Sequence, residues 1–432
     1  MTGTTAQVSG TGRVAITGGA VMVAATLTNG LAYLVPMLGA RHLDPADLST
    51  LATVQALVTI AGVAATGLQT AIAVHRARQP HAATTRVVLV TAAVTGAILI
   101  AATPLTVTAL HLPVTVVALS AATTLAVVLA AGPLGELQGD QRFLRLAAGM
   151  GVLALGRYAG VVVGLVLGGG LVGSLTASVA TAWLAVPILH LLARSRPATS
   201  ASAVPRPATA GPVSGDVSAS LSADGPVLGV RKVVTASGAT LAMLVASYAD
   251  LILARQLLPP AESGAYSVGT VLTKGALWAP QVVTVLALPR MARRDSNSRA
   301  RALAVVAACG AALVAASTLA GGLAFRLAGG PDYAALGRYA PFFAATGALY
   351  AVAFVLINAQ LATGARWPSA PLWAGAGALV VVAVFLAPHT FVGVMGSALA
   401  AAVATTLALT VLAHTATGRR QAPSRLNSTE LT

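Results

Sequence analysis

The chain has 432 residues, 56% of them hydrophobic, with a mean hydropathy of +0.83 and only 9% charged. A soluble domain carries about a quarter charged residues, so this chain lacks the polar surface needed in water and is read as a multi-pass membrane protein. Its net charge of +15 first asks where the cations sit relative to a bilayer, before any question of nucleic acid.

Met1 to Gly12 is polar and a long apolar run follows, so no cleavable leader is expected. A transmembrane helix needs roughly 17–25 apolar residues. Runs at 14–39, 48–74, 86–110, 113–133, 147–170 and 174–193 meet that length and predict six spans. Residues 195–229 follow, with Pro197, Pro205, Pro207, Pro212 and Pro226 among Ser and Ala. That composition cannot bury a core and predicts a disordered linker. Runs at 231–257, 263–289, 301–327, 338–362, 369–387 and 393–416 predict six more spans. The expected plan is an all-α integral membrane protein of about twelve helices: a lobe over 1–194, a linker over 195–229, a second lobe over 230–416 and a tail over 417–432.

With the N-terminus placed inside, 20 of the 26 Lys and Arg fall on the inner side and four, Arg41, Arg255, Arg326 and Arg338, on the outer side. This bias predicts that both termini and the linker are cytoplasmic, and basic inner loops suit an anionic leaflet. An even number of spans per half makes the two halves parallel repeats, a plan used by transporters whose substrate site lies between lobes near the midplane. A repeated phrase supports duplication. "LGARHLDPAD" after the first span and "LARQLLPPAE" after the seventh both carry Ala-Arg-x-Leu-x-Pro and then an acidic residue. A second echo pairs "LQGDQRF" after span four with "ATGARW" after span ten.

"NGLAYLVPMLGARHLDPADLSTLATVQALVTIAGVAATGLQTAIA" resembles the opening helices of bacterial polysaccharide-biosynthesis flippases. "GELQGDQRF" resembles their inner loop after helix four, and "DLILARQLLPPAESGAYSVGTVLTKGALWAPQVVTVLALPRMAR" the start of their second lobe. These flippases form the oligosaccharide branch of the multidrug/oligosaccharidyl-lipid/polysaccharide (MOP) exporter superfamily. The resemblance implies two six-helix lobes, alternating access, and movement of a polyprenyl-linked glycan from the inner to the outer leaflet of the bacterial cell membrane. The Pro-rich linker departs from the family pattern but lies where the lobes join.

Three charges fall well inside spans and away from their ends, where each costs a few kcal/mol on insertion scales and usually faces a cavity or a partner. Lys274 lies about 16 Å into span eight at 1.5 Å per residue, Arg157 is similarly deep in span five, and Asp250 lies on span seven. Arg157 and Lys274 are candidate ligands for an anionic head group, because a guanidinium offers a fork to phosphate and an ammonium a compact charge. Asp250 is a candidate to neutralise Lys274 or to couple transport to an ion, H+ or Na+. The plainer reading is that Asp250 and Lys274 lock two helices together, and that Arg157 snorkels or binds a carbonyl. Arg41 and Arg255 are rim candidates that steer an anion or simply anchor helix ends. Asn29, Gln69, Gln281, Asn358 and Gln360 are cavity candidates for sugar hydroxyls, against a plainer role as interhelical glue. Pro36 and Pro280 are expected to interrupt their helices.

No phosphate-cradling Gly-x-x-x-x-Gly-Lys-Ser/Thr occurs, the seven His are scattered, and the lone Cys309 excludes a disulfide framework. No cofactor, metal or enzymatic role is expected, and no nucleic-acid partner. The expected partners are a lipid-linked anionic glycan, membrane lipids and polysaccharide-synthesis enzymes. A cation-coupled multidrug exporter of the same superfamily, or a membrane scaffold for synthesis enzymes, are the competing readings. A drug pump would favour acidic cavity residues, whereas here the spans hold two cations and one anion.

Overall fold

The computed structural model describes residues 5–79, 83–194, 226–291, 298–362 and 367–421; side chains near some helix ends, Gln281 among them, are not described. The expected linker falls mostly outside these residues, as do the last eleven residues of the tail and most of the Ala362–Trp367 echo. Among the described residues every element is helical. They are α1 (Thr5–His42), α2 (Pro45–Ala61), α3 (Val63–Arg78), α4 (Thr85–Leu110), α5 (Val114–Gly139), α6 (Phe143–Val166), α7 (Gly170–Arg194), α8 (Pro226–Leu257), α9 (Pro260–Met291), α10 (Ser298–Gly329), α11 (Ala340–Ala362), α12 (Ala370–Val381) and α13 (Phe391–Gln421).

Each of the twelve expected spans coincides with helix, giving an all-α membrane architecture. Among the described residues, nine stretches are long and apolar enough to cross a bilayer, and α12 with its continuation to Leu386 is a shorter apolar helix. Some details differ from expectation. Span two is two helices that meet at Gly62. α12 passes into a π-turn over Val382–Leu386. α10 is kinked at Ala320, and the Gly321–Gly322 backbone beside the kink closes on Gly337 of a 3-10 segment, Pro331–Tyr339. α8 begins at Pro226, inside the expected linker. Pro36 and Pro280 do not end their helices: α1 and α9 continue through them.

Two compact units divide at Leu241/Ala242, within α8. In the first, α5 packs against α2, α3, α4, α6 and α7. Its core joins Val35, Leu51, Val54, Val58, Val116, Val161 and Leu165 at one level and Leu134, Leu137, Leu146 and Leu189 at another. In the second, α11 packs against α9, α10 and α13, and α8 meets α12 and α13 through Ala249, Leu253, Leu379 and Ala398. Tyr266, Phe343 and Phe391 form an edge-to-face cluster there, with ring centroids 5.1 to 6.0 Å apart.

The repeated phrases build helical hairpins in both units. In the first, Pro45 opens α2 and Asp44 caps it, accepting the Asp47 N–H at 2.8 Å. In the second, Pro260 opens α9, but Glu262 instead accepts the N–H of Phe391 at the start of α13, at 3.2 Å. "LQGDQRF" also has a structural use. α5 ends there with Gln141 left-handed at φ 57, and the N–H groups of Gln141 and Arg142 return to the carbonyls of Gln138 and Leu137.

α6 and α7 touch along a stripe of glycine. Gly156, Gly160 and Gly164 recur every four residues and press against Thr181, Ala177 and Ser174 backbone. Hydroxyls cross the same seam: Ser178 donates to the Arg157 carbonyl at 2.8 Å and Thr181 to the Gly156 carbonyl at 2.6 Å. Without a hydrophobic drive between helices in lipid, such close backbone packing supplies the association. A Gly160→Leu change is expected to force the helices apart at a cost of about 3 kcal/mol. Gly151→Ala, where a Cβ meets nothing within 4 Å, should be neutral. Thermal melting of the detergent-purified protein distinguishes them.

Candidate functional site

The glycine stripe fixes the face of α6 that carries Arg157, because the Arg157 carbonyl is itself bonded across the seam. On that fixed backbone the guanidinium lies 5.1 Å from the centroid of the Tyr158 ring and donates from Nη2 to Thr59 Oγ1 on α2 at 2.8 Å. Thr59 in turn donates to the Gln55 carbonyl at 2.6 Å, so its oxygen is oriented as an acceptor for Arg157. Arg157 Nε is buried and has no hydrogen-bond partner among the described residues. A guanidinium has five N–H donors in a fixed fork and cannot be deprotonated in a protein. This one is thus held by a single side-chain hydroxyl and keeps an unsatisfied donor among apolar helices.

The second unit gathers Asp250 and Lys274. Asp250, on α8, is only 4% exposed, and its Oδ2 accepts the Tyr266 hydroxyl at 3.2 Å. Lys274, on α9, donates to the Ser247 carbonyl, and its Nζ lies 3.3 Å from the centroid of the Tyr248 ring. The ammonium is within electrostatic reach of Asp250, and so is the buried Tyr350 of α11. A carbonyl oxygen, an aromatic face and a nearby carboxylate together compensate an ammonium removed from water. α11 approaches closely at Gly347, where a Cβ would run into the Thr273 carbonyl. Thr273 Oγ1, next to Lys274, is buried without a hydrogen-bond partner among the described residues.

The other candidates stand apart from these two groups. Asn358 and Gln360 lie on α11 at least about 16 Å along the helix from Gly347; Gln360 is buried. Gln69 lies about 15 Å along the chain from Thr59 and is occupied with Gln138, to which its amide donates at 2.9 Å. Gln69 therefore glues α3 to α5. It belongs to a polar end of the first unit in which Arg76 pairs with Asp140 at 2.9 Å and Thr84 donates to Glu136. Asn29 is exposed on α1. Arg41 is exposed in the last turn of α1, and Arg255, in the last turn of α8, is half-buried.

Sequence reasoning missed Thr59, Ser247, Tyr248, Tyr266 and Tyr350. A signal was present for the tyrosines. The chain has only seven, and a Tyr within an apolar span needs a partner for its hydroxyl. Thr59 and Ser247 had no such signal, since Thr and Ser recur in nearly every span and most return their hydroxyls to their own helix.

No family model and no curated protein sequence matches the chain. Solved structures do share its fold. An inward-facing multidrug resistance MATE family transporter of the MOP superfamily superposes with a TM-score of 0.60 at 14% identity, covering 92% of this chain and 96% of that one. The lipid II flippase MurJ, in an inward closed conformation, gives 0.61 at 10% identity over 91% and 87% of the two chains. An outward-facing MATE family transporter gives 0.53 at 16% identity over 95% and 96%. The fold of this chain is therefore that of MOP-superfamily membrane transporters.

Proposed function

We propose that the protein is a flippase that moves a polyprenyl-linked, anionic oligosaccharide or polysaccharide precursor from the inner to the outer leaflet of the bacterial cell membrane by alternating access. The observation that carries this reading is the buried, unpartnered Nε of Arg157. A guanidinium kept under-satisfied in an apolar unit is an anion site in waiting, because a phosphate oxygen supplies the acceptor that the protein withholds. Lys274 gives the other unit a cation of its own, and Asp250 is the group placed to balance it or to exchange with H+ or Na+. The lobes are assigned to 1–194 and 230–416, with the 195–229 linker, the 417–432 tail and both termini cytoplasmic, on the strength of the Lys and Arg distribution.

The MATE likeness supports a second reading, a cation-coupled drug exporter, and the buried Asp250 is the observation in its favour. The anionic reading accounts better for two cations against one carboxylate. A deletion strain decides between them. Polyprenyl-linked glycan should build up on the inner leaflet while surface polysaccharide is lost, and the wild-type gene should reverse both. Unchanged glycan pools with altered resistance to cationic drugs would instead establish the exporter.

A further inference from the structure

The first unit holds an elongated cavity of about 910 Å³ along α2, α3, α4 and α5, with Ser237, Gly238 and Leu241 from the start of α8 also in its wall. Its lining runs from Leu57 to Arg78 on α2 and α3 and from Val87 to Thr106 on α4. At 1.5 Å per residue these walls are about 28 Å long or more, close to the full hydrocarbon thickness of a bilayer. Spread over that length, the volume corresponds to a mean section of about 30 Å², the width of one hydrocarbon chain. The lining is mostly aliphatic, and three of its hydroxyls are turned back onto their own helices. Ser120 donates to the Val117 carbonyl at 2.7 Å, Thr124 to that of Ser120 at 2.9 Å and Thr106 to that of Thr103 at 2.9 Å. Among the described residues no acidic side chain lines the cavity, and the basic ones that do, His75 and Arg78, sit together in the last turn of α3.

We propose that this groove holds the isoprenoid chain of the lipid carrier as the cargo is loaded, with the carrier's phosphate first received by Arg78 and His75 and passed to Arg157 only as transport proceeds. The length selects this occupant. An acyl chain of one leaflet fills about 15 Å, half the hydrocarbon thickness, and would leave the far half of the groove empty. A long polyprenyl chain anchored at the basic end fills it. The charge pattern agrees: the described lining carries its cations at one end and no carboxylate to repel a phosphate. The inference rests on the flippase reading and adds to it where the tail of the cargo lies.

The test uses the full chain in nanodiscs and a polyprenyl diphosphate with a photoreactive group near the far end of its chain. Label should fall on residues lining α2, α4 and α5. Ala71→Trp narrows the groove at an exposed wall position and should weaken labelling by about ten-fold. Ala64→Phe, also in the wall, should do the same and guards against a folding defect in the first variant. Arg78→Gln should weaken it by about three-fold or more. Leu89→Trp, on the outward side of α4 and 57% exposed, should label as wild type. Equal labelling of wild type and both groove variants would overturn the assignment and leave the flippase reading standing. Displacement by an equal amount of phosphatidylglycerol would also overturn it, in favour of ordinary membrane lipid. A wild-type protein that takes no label would overturn both.

Discussion

Arg157→Gln is expected to abolish most transport of the lipid-linked glycan while leaving the protein folded. The guanidinium gives the fold one side-chain hydrogen bond, to Thr59, and keeps a buried donor unsatisfied. Its removal therefore costs the folded state little, and it relieves a half-buried charge within a span. Its removal costs the cargo a charge-assisted hydrogen bond, worth about 1.5–3 kcal/mol, or about 10- to 100-fold in transport rate at low cargo concentration. Arg157→Lys should recover only part of this, because an ammonium retains the charge without the planar fork. Thr59→Val is a companion test. It releases the guanidinium from its orienting hydroxyl without removing the charge, so it should raise the half-saturating cargo concentration more than it lowers the maximal rate. Reconstituted proteoliposomes with a fluorescent lipid-linked oligosaccharide give both quantities. Wild-type rates in Arg157→Gln would remove the anion-site assignment and return Arg157 to a purely structural role.

The helical plan was legible in the sequence because lipid leaves the chain few choices. Unsatisfied backbone groups are too costly in hydrocarbon, so a long apolar run is helical, and each expected span coincides with helix, though span two is broken into two at Gly62. The charges within spans were legible for the same reason: Arg157, Asp250 and Lys274 stand out against a chain that is 9% charged. What was not legible is contact between helices. Gln69 could be read either as a cavity group or as interhelical glue, and only the structure shows its amide occupied by Gln138, 69 residues away in sequence. Gly-x-x-x-Gly spacing carries little information in a chain with 43 glycines, yet Gly156, Gly160 and Gly164 define the α6–α7 seam. The break at Gly62 left no signal, because an apolar run reads alike whether one helix or two cross it.

The pair Asp250 and Lys274 yields the sharpest separation of structure from function. Removing one member of a buried pair strands the other. Lys274→Met is thus expected to destabilise the protein by about 3–5 kcal/mol, since it leaves the 4%-exposed Asp250 carboxylate with only the Tyr266 hydroxyl and local backbone. Asp250→Asn should be milder, because the Ser247 carbonyl and the Tyr248 ring still hold the ammonium. The double variant Asp250→Asn/Lys274→Met removes both charges and should regain most of the stability lost in Lys274→Met, as replaced buried ion pairs commonly do. Transport should follow a different rule. A pair that merely locks α8 to α9 is dispensable once stability returns, so the double variant would transport at the wild-type rate. A cation that meets the cargo, or a carboxylate that exchanges an ion, cannot be restored by repacking, so the double variant should melt near wild type and still fail to move lipid-linked glycan. Melting temperature and flux measured on the same four proteins close the cycle. Recovery of both together would reduce the pair to a helix clamp and leave Arg157 as the one mid-span charge assigned to the cargo.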